Sequence, residues 1–190
     1  MKVVPTVILV LSSIAAVSSP EAAPADEPPS KVLPSAVHWV DTDCGLLALR
    51  LSTSAQTVTK GVPIKITAQI RNTGKMPITV LRPFGDWFLA KAAGIKIWDD
   101  KRRIRYSGPT PGYVIGADAF AVLAPGATIE DHIELTTDNF AGIETPGTYT
   151  FRYDYSYDGR WDDTAAAGES GIRGAWRGTI SSREVQVTRK

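Results

Sequence analysis

The sequence predicts an all-β protein, an immunoglobulin-like antiparallel β-sandwich of about seven strands. Three observations lead there. Residues 148–157 alternate, with Tyr149, Phe151, Tyr153, Tyr155 and Tyr157 on one side and Thr150, Arg152, Asp154 and Ser156 on the other; this is the period of a strand with one buried face. Thirteen Pro and sixteen Gly are spread between short apolar runs in the 190 residues, which suits many short strands better than helices. Tyr149 stands two residues after Gly147, at the start of a strand, the pattern of a tyrosine corner. In antibody domains a cysteine follows two residues later. Phe151 holds that place here, so a hydrophobic plug is expected instead of a disulfide.

The strands follow in order. Residues 46–51 make the first. In the second, 62–70, Val62, Ile64, Ile66, Ala68 and Ile70 alternate with Pro63, Lys65, Thr67 and Gln69, giving one buried and one wet face. Asn72-Thr73-Gly74 is expected to turn a hairpin into a third strand at 76–81. Pro83 to Phe88 breaks the pattern and is expected to cross an edge or change sheet. Residues 95–98 and 104–106 form a hairpin around Asp99-Asp100-Lys101-Arg102, and 107–119, with Pro109, Pro111, Gly112 and Gly116, form a loop. Ala124-Pro125-Gly126 turns into a strand at 127–135, where Ile129, Ile133 and Leu135 are evenly spaced and His132 lies on the polar side. The last strand is 176–187. No helical period and no internal repeat stands out.

The first 25 residues read as a signal peptide. Lys2 supplies positive charge, residues 7–17 form an apolar core, and Ala23-Pro24-Ala25 offers a cleavage site, with cleavage near Ser18 as the other option. The apolar core is too short for a transmembrane helix, so the expected location is secreted or periplasmic, with no membrane span. Residues 26–43 are expected to be an extended linker, and 44–190 the sandwich, with a long loop at 158–175. A formal net charge of +1 gives no footprint for nucleic acid. Cys44 is the only cysteine, so the core must hold the fold without an internal disulfide. It is expected as a small buried hydrophobe near the first strand, an intermolecular disulfide being the alternative.

Three short stretches carry a family likeness. Asn72-Thr73-Gly74 after a strand, Leu123-Ala124-Pro125-Gly126, and Gly147-Thr148-Tyr149 resemble the pro-region of deuterolysin-type and peptidyl-Lys metalloendopeptidases. The same layout is similar to the intracellular proteinase inhibitor of bacilli. The resemblance covers about residues 46–157 and rests on turn chemistry, which specifies fold better than function. The metalloendopeptidase catalytic domain is missing, since no H-E-x-x-H occurs. The bacillus inhibitor is cytosolic, whereas this chain is expected to be exported. What the resemblance implies is a stand-alone immunoglobulin-like module, with protease binding as one use.

Catalytic chemistry finds no purchase in the sequence. His38 and His132 are the only histidines and neither stands in a nucleophile motif. One cysteine and two scattered histidines make no zinc pattern. Asp154, Ser156, Asp158, Gly159 and Asp162 echo the spacing of a calcium loop, but Ala165 stands where a bidentate glutamate belongs. The reading is therefore no enzyme, no metal and no cofactor. The loop at 158–175 is the most unusual connection. It carries Arg160, Trp161, Asp162 and Arg173, and Trp and Arg are the residues enriched at binding hot spots. These four are the expected contacts with a protein partner, a protease among the candidates. The alternative function is a structural or accessory envelope protein with no protease target.

Overall fold

A computed structural model describes residues 38–84, 94–100, 102–108, 117–159 and 174–190. The described residues hold twelve strands in chain order. They are β1 (Val40–Asp41), β2 (Leu47–Thr53), β3 (Thr57–Val58), β4 (Ile64–Asn72), β5 (Ile78–Leu81), β6 (Ile95–Trp98), β7 (Arg103–Ile104), β8 (Phe120–Leu123), β9 (Thr128–Leu135), β10 (Gly147–Tyr157), β11 (Gly178–Ser181) and β12 (Val185–Arg189). One sheet runs β1-β2-β4-β9; the other runs β3-β12-β10-β6-β7, with β11 also on β10. A third, two-stranded sheet pairs β5 with β8. All pairs are antiparallel except β12 with β3. The chain is an all-β sandwich, divided into more and shorter strands than the sequence suggests.

Alternation builds the core. Leu47, Leu49 and Leu51 of β2, and Ile64, Ile66, Ala68 and Ile70 of β4, meet Ile95 and Ile97 of β6 and Tyr149, Phe151, Tyr153 and Tyr155 of β10 in one apolar cluster, while Tyr157 packs in a smaller one with Ala119, Phe120 and Ala175. Tyr149, Phe151, Tyr153, Tyr155 and Tyr157 are all buried. Phe151 is the plug: it is fully buried and lies between Val185 and Ile97 in the ladder. The Tyr149 hydroxyl shares its proton between the carbonyls of Gly142 and Thr145, the bonding a tyrosine corner makes.

Asn72-Thr73-Gly74 does not close a hairpin. β4 lies between β2 and β9, and β5 pairs with β8 instead. The reason is the Asn72 side chain. Its amide donates to the Met76 and Leu123 carbonyls, and its oxygen accepts from the Gly74 N–H. Its backbone exchanges bonds with Ala127 and Gly126. These bonds turn the chain out of the sheet and join this turn to Ala124-Pro125-Gly126. Gly74 serves close approach rather than positive φ: an added Cβ would stand 3.1 Å from a Leu46 methyl and 3.2 Å from Asn72 Oδ1. Gly126 does take φ 77°, as a turn glycine should.

Two further boundaries differ. The expected last strand is two, β11 and β12, lying end to end along β10. Ser182 fills the break: its hydroxyl accepts from the Tyr153 N–H and its own N–H donates to the Tyr153 carbonyl, the work of a bulge. The sandwich also begins before residue 44. Val40 and Asp41 pair with Leu49 and Ala48, so the end of the expected linker is a strand. The signal peptide and residues 26–37 of the linker lie outside the described residues.

Candidate protein-binding surfaces

Arg160, Trp161, Asp162 and Arg173 all lie outside the described residues. The stem that bears them is described. β10 and β11 pair from Asp154 with Ser181 to Tyr157 with Gly178, so the two ends of the connection leave the sandwich side by side. Trp176 stacks on Tyr155, centroids 5.6 Å apart and planes at 19°, and its backbone N–H donates to the Thr79 carbonyl at 2.8 Å. Trp176 is therefore a buried brace for the stem. Burial pushes the Tyr155 hydroxyl well above its ordinary pKa; it stays protonated and donates to the Leu81 carbonyl.

A second Trp and Arg cluster was not legible as such in the sequence. Trp39 precedes β1, and the β1–β2 register sets it beside Arg50. The outer face of this sheet also bears Gln69 and Arg71 from β4 and Glu130 from β9, because inward isoleucines alternate with them. The Arg50 guanidinium lies 4.9 Å from the Trp39 ring centroid and that of Arg71 4.4 Å, within cation–π range. Arg50 Nε donates to Gln69 Oε1 at 2.6 Å, and Gln69 Nε2 donates to Glu130 Oε2 at 2.7 Å. Between the two arginines Ala48 is fully buried although it belongs to the outer face. The only hint in the sequence was the alternation of β2 and β4, which assigns Arg50 and Arg71 to one face; nothing in it placed Trp39 there.

Other expectations resolve plainly. Cys44 is exposed, not buried. It sits in the turn from β1 to β2, which Thr42 ties by accepting from the Leu46 and Leu47 N–H groups. The turn's tightness puts residue 44 outside the apolar face. The Thr42 hydroxyl, 3.4 Å from the sulfur, together with the Leu46 backbone, lowers the thiol pKa. His132 is exposed on β9, and the Asp131 carboxylate accepts from its backbone N–H. His38 is exposed as well. Asp154, first in the calcium-like spacing, lies within β10 with its carboxylate 2.9 Å from Lys96 Nζ and 3.2 Å from Arg152 Nε. The described residues contain no group of three or more His, Cys, Asp or Glu placed to hold a metal. The Asp99–Arg102 turn lines an open cleft of about 470 Å³ with residues of the tyrosine corner.

No protein-family model matches the chain, and no curated protein matches it. Among solved structures, the chain is similar in shape to ycdA of Bacillus subtilis, described as a lipoprotein candidate, with 10% identity over 81% of this chain and 39% of that one, at a TM-score of 0.36. It is also similar to a β-glucosidase from Listeria innocua solved with laminaribiose, with 12% identity over 73% of this chain and 16% of that one, at a TM-score of 0.28. The chain thus spans well under two thirds of either protein. At these scores neither likeness carries an argument about function. Among the described residues no helix is long and apolar enough to cross a membrane.

Proposed function

We propose that this chain is an exported, non-catalytic binding module whose partner is a protein, in the manner of a protease inhibitor or a propeptide. The observation that carries the reading is the stem of the 158–175 connection. Paired strands from Asp154 to Tyr157 and the stacked Trp176 hold its two ends on a rigid sandwich. A contact segment held in that way loses less freedom on binding than a loop with free ends. Trp161, flanked by Arg160 and Asp162 and joined by Arg173, supplies the residue types of a hot spot.

The test uses the mature protein against a panel of secreted proteases, with inhibition and complex formation as readouts. Trp161→Ala, or replacement of residues 164–171 by a short Gly-Ser link, should weaken partner binding by about 2 kcal/mol. The link itself should leave stability nearly unchanged, since loop closure varies by only about 0.6 kcal/mol per doubling of length. A partner that binds both variants as tightly as the wild type would reduce the connection to a spacer. If no protease is bound or inhibited, an accessory role in the envelope takes its place.

A further inference from the structure

We infer that the Trp39 face is a second binding site, separate from the 158–175 connection, and that it takes a short protein segment bearing one or two carboxylates. The geometry of the two arginines carries the inference. Each guanidinium lies over one indole, at 4.9 Å for Arg50 and 4.4 Å for Arg71. A cation–π contact engages the charge of the guanidinium and does not by itself use up its five N–H donors. Arg50 commits only Nε, to Gln69. Among the described residues the Arg71 guanidinium makes no hydrogen bond and no ion pair; its contact is the indole. The donors at this spot thus outnumber the acceptors that the sheet supplies.

The acidic groups nearby do not neutralise them. Glu130 is reached only through the Gln69 amide. Asp41 is exposed on β1, across Ala48 from Arg71 in the ladder, and makes no ion pair among the described residues. What remains is a pair of fork-shaped donors already held in place by a common ring. Bidentate capture of a carboxylate suits that fork, and prior ordering lowers the cost of binding.

The same surroundings choose among anions. Glu130 and Glu134 face outward from β9, the edge of this sheet, opposite Gln69 and Lys65, and Asp41 lines the other side. A polyanion lying across the sheet would meet these charges, and the net charge of the chain is only +1. A discrete carboxylate on a segment of otherwise neutral or basic residues meets the arginines and is tolerated by the flanks. The fit is therefore to an acidic side-chain pair on a protein, rather than to nucleic acid or a phosphorylated surface.

The experiment titrates the full mature chain with short peptides carrying a central Glu-Glu and with matched Gln-Gln peptides, following the Arg50 and Arg71 Nε–Hε and Trp39 indole resonances. The Glu-Glu peptide should move these resonances, and added salt should weaken it. Arg71→Ala should lower its affinity by about tenfold, as loss of a charge-assisted bidentate contact does. Arg71→Lys should fail to restore it, because an ammonium lacks the fork; an unchanged amide spectrum for this variant confirms that the fold is kept. Trp161→Ala should leave this binding untouched, so the two surfaces fail or stand independently. Equal binding of the Gln-Gln peptide, resonances that do not move, or tighter binding of a DNA oligonucleotide than of the Glu-Glu peptide would each overturn the inference.

Discussion

Asn72→Ala is the sharpest test of how this fold is held. The residue is 1% exposed, and its side chain serves a turn on either side. Truncation orphans the Leu123 carbonyl, whose bond at 2.9 Å is buried, and releases the Met76 carbonyl and the Gly74 N–H, whose bonds at 2.8 and 2.9 Å are only partly buried. The buried orphan costs about 1–3 kcal/mol, and the other two, which water can reach, about 0.5 kcal/mol each. The sum is about 2–4 kcal/mol, a large share of the 5–15 kcal/mol typical of a domain. Urea unfolding followed by far-ultraviolet dichroism should show the midpoint falling with the slope unchanged. Asn72→Asp separates hydrogen bonding from volume. It keeps an acceptor for Gly74 but sets a carboxylate against the Leu123 carbonyl, a worse state at neutral pH than alanine. Its folded pKa must then rise above the ordinary value near ~4. A raised pKa contributes stability below the unfolded pKa and loses it as pH climbs through the folded one, so the deficit of this variant should shrink in acid. If Asn72→Ala falls within about 0.5 kcal/mol of wild type, the joined turns do not hold the fold and the reasoning is wrong.

Other outcomes are equally specific. Phe151→Ala should cost about 3–5 kcal/mol from its fully buried place between Val185 and Ile97, and Tyr149→Phe about 1–2 kcal/mol through the Gly142 and Thr145 carbonyls; an unchanged melting temperature for Phe151→Ala would refute the plug. Arg189 is 1% exposed and bonds Glu144 at 3.2 Å, the Thr59 carbonyl at 2.9 Å and the Val62 carbonyl at 3.0 Å. Arg189→Met should therefore cost about 3 kcal/mol in the same urea assay, largely from orphaned carbonyls. Burial, first among the causes, pushes the Tyr149, Tyr153 and Tyr155 hydroxyls up. Raised groups contribute stability below their unfolded pKa near ~10 and lose it as pH rises through the folded values, so alkaline unfolding should be steep above about pH 10. Tyrosinate absorbance and dichroism should change together; absorbance rising fully before the fold is lost would contradict their burial.

Local pattern alone determined a good deal. The period of two in β4 and β10 selected their buried faces because a half-buried strand must alternate, and the Pro146-Gly147-Thr148-Tyr149 run specified the corner through its own side chain. The β6–β7 hairpin was legible for the same reason, its partners being close in sequence. Long-range partnership was not. Asn72 looked like a hairpin turn because Asn-Thr-Gly is turn chemistry wherever it occurs, yet its acceptor at Leu123 lies 51 residues away. Arg189 reads as an ordinary charged terminus until the loops around Thr59 and Glu144 close over it. Trp39 reads as linker until β1 pairs with β2 and lays it beside Arg50 and Arg71. Spacing within a segment records which face is apolar, and that is all an alternating strand needs. Which segments meet depends on shape and hydrogen bonding across the whole chain, so the joined turns, the buried arginine and the arginine-clasped tryptophan were settled only when the two sheets closed on one core.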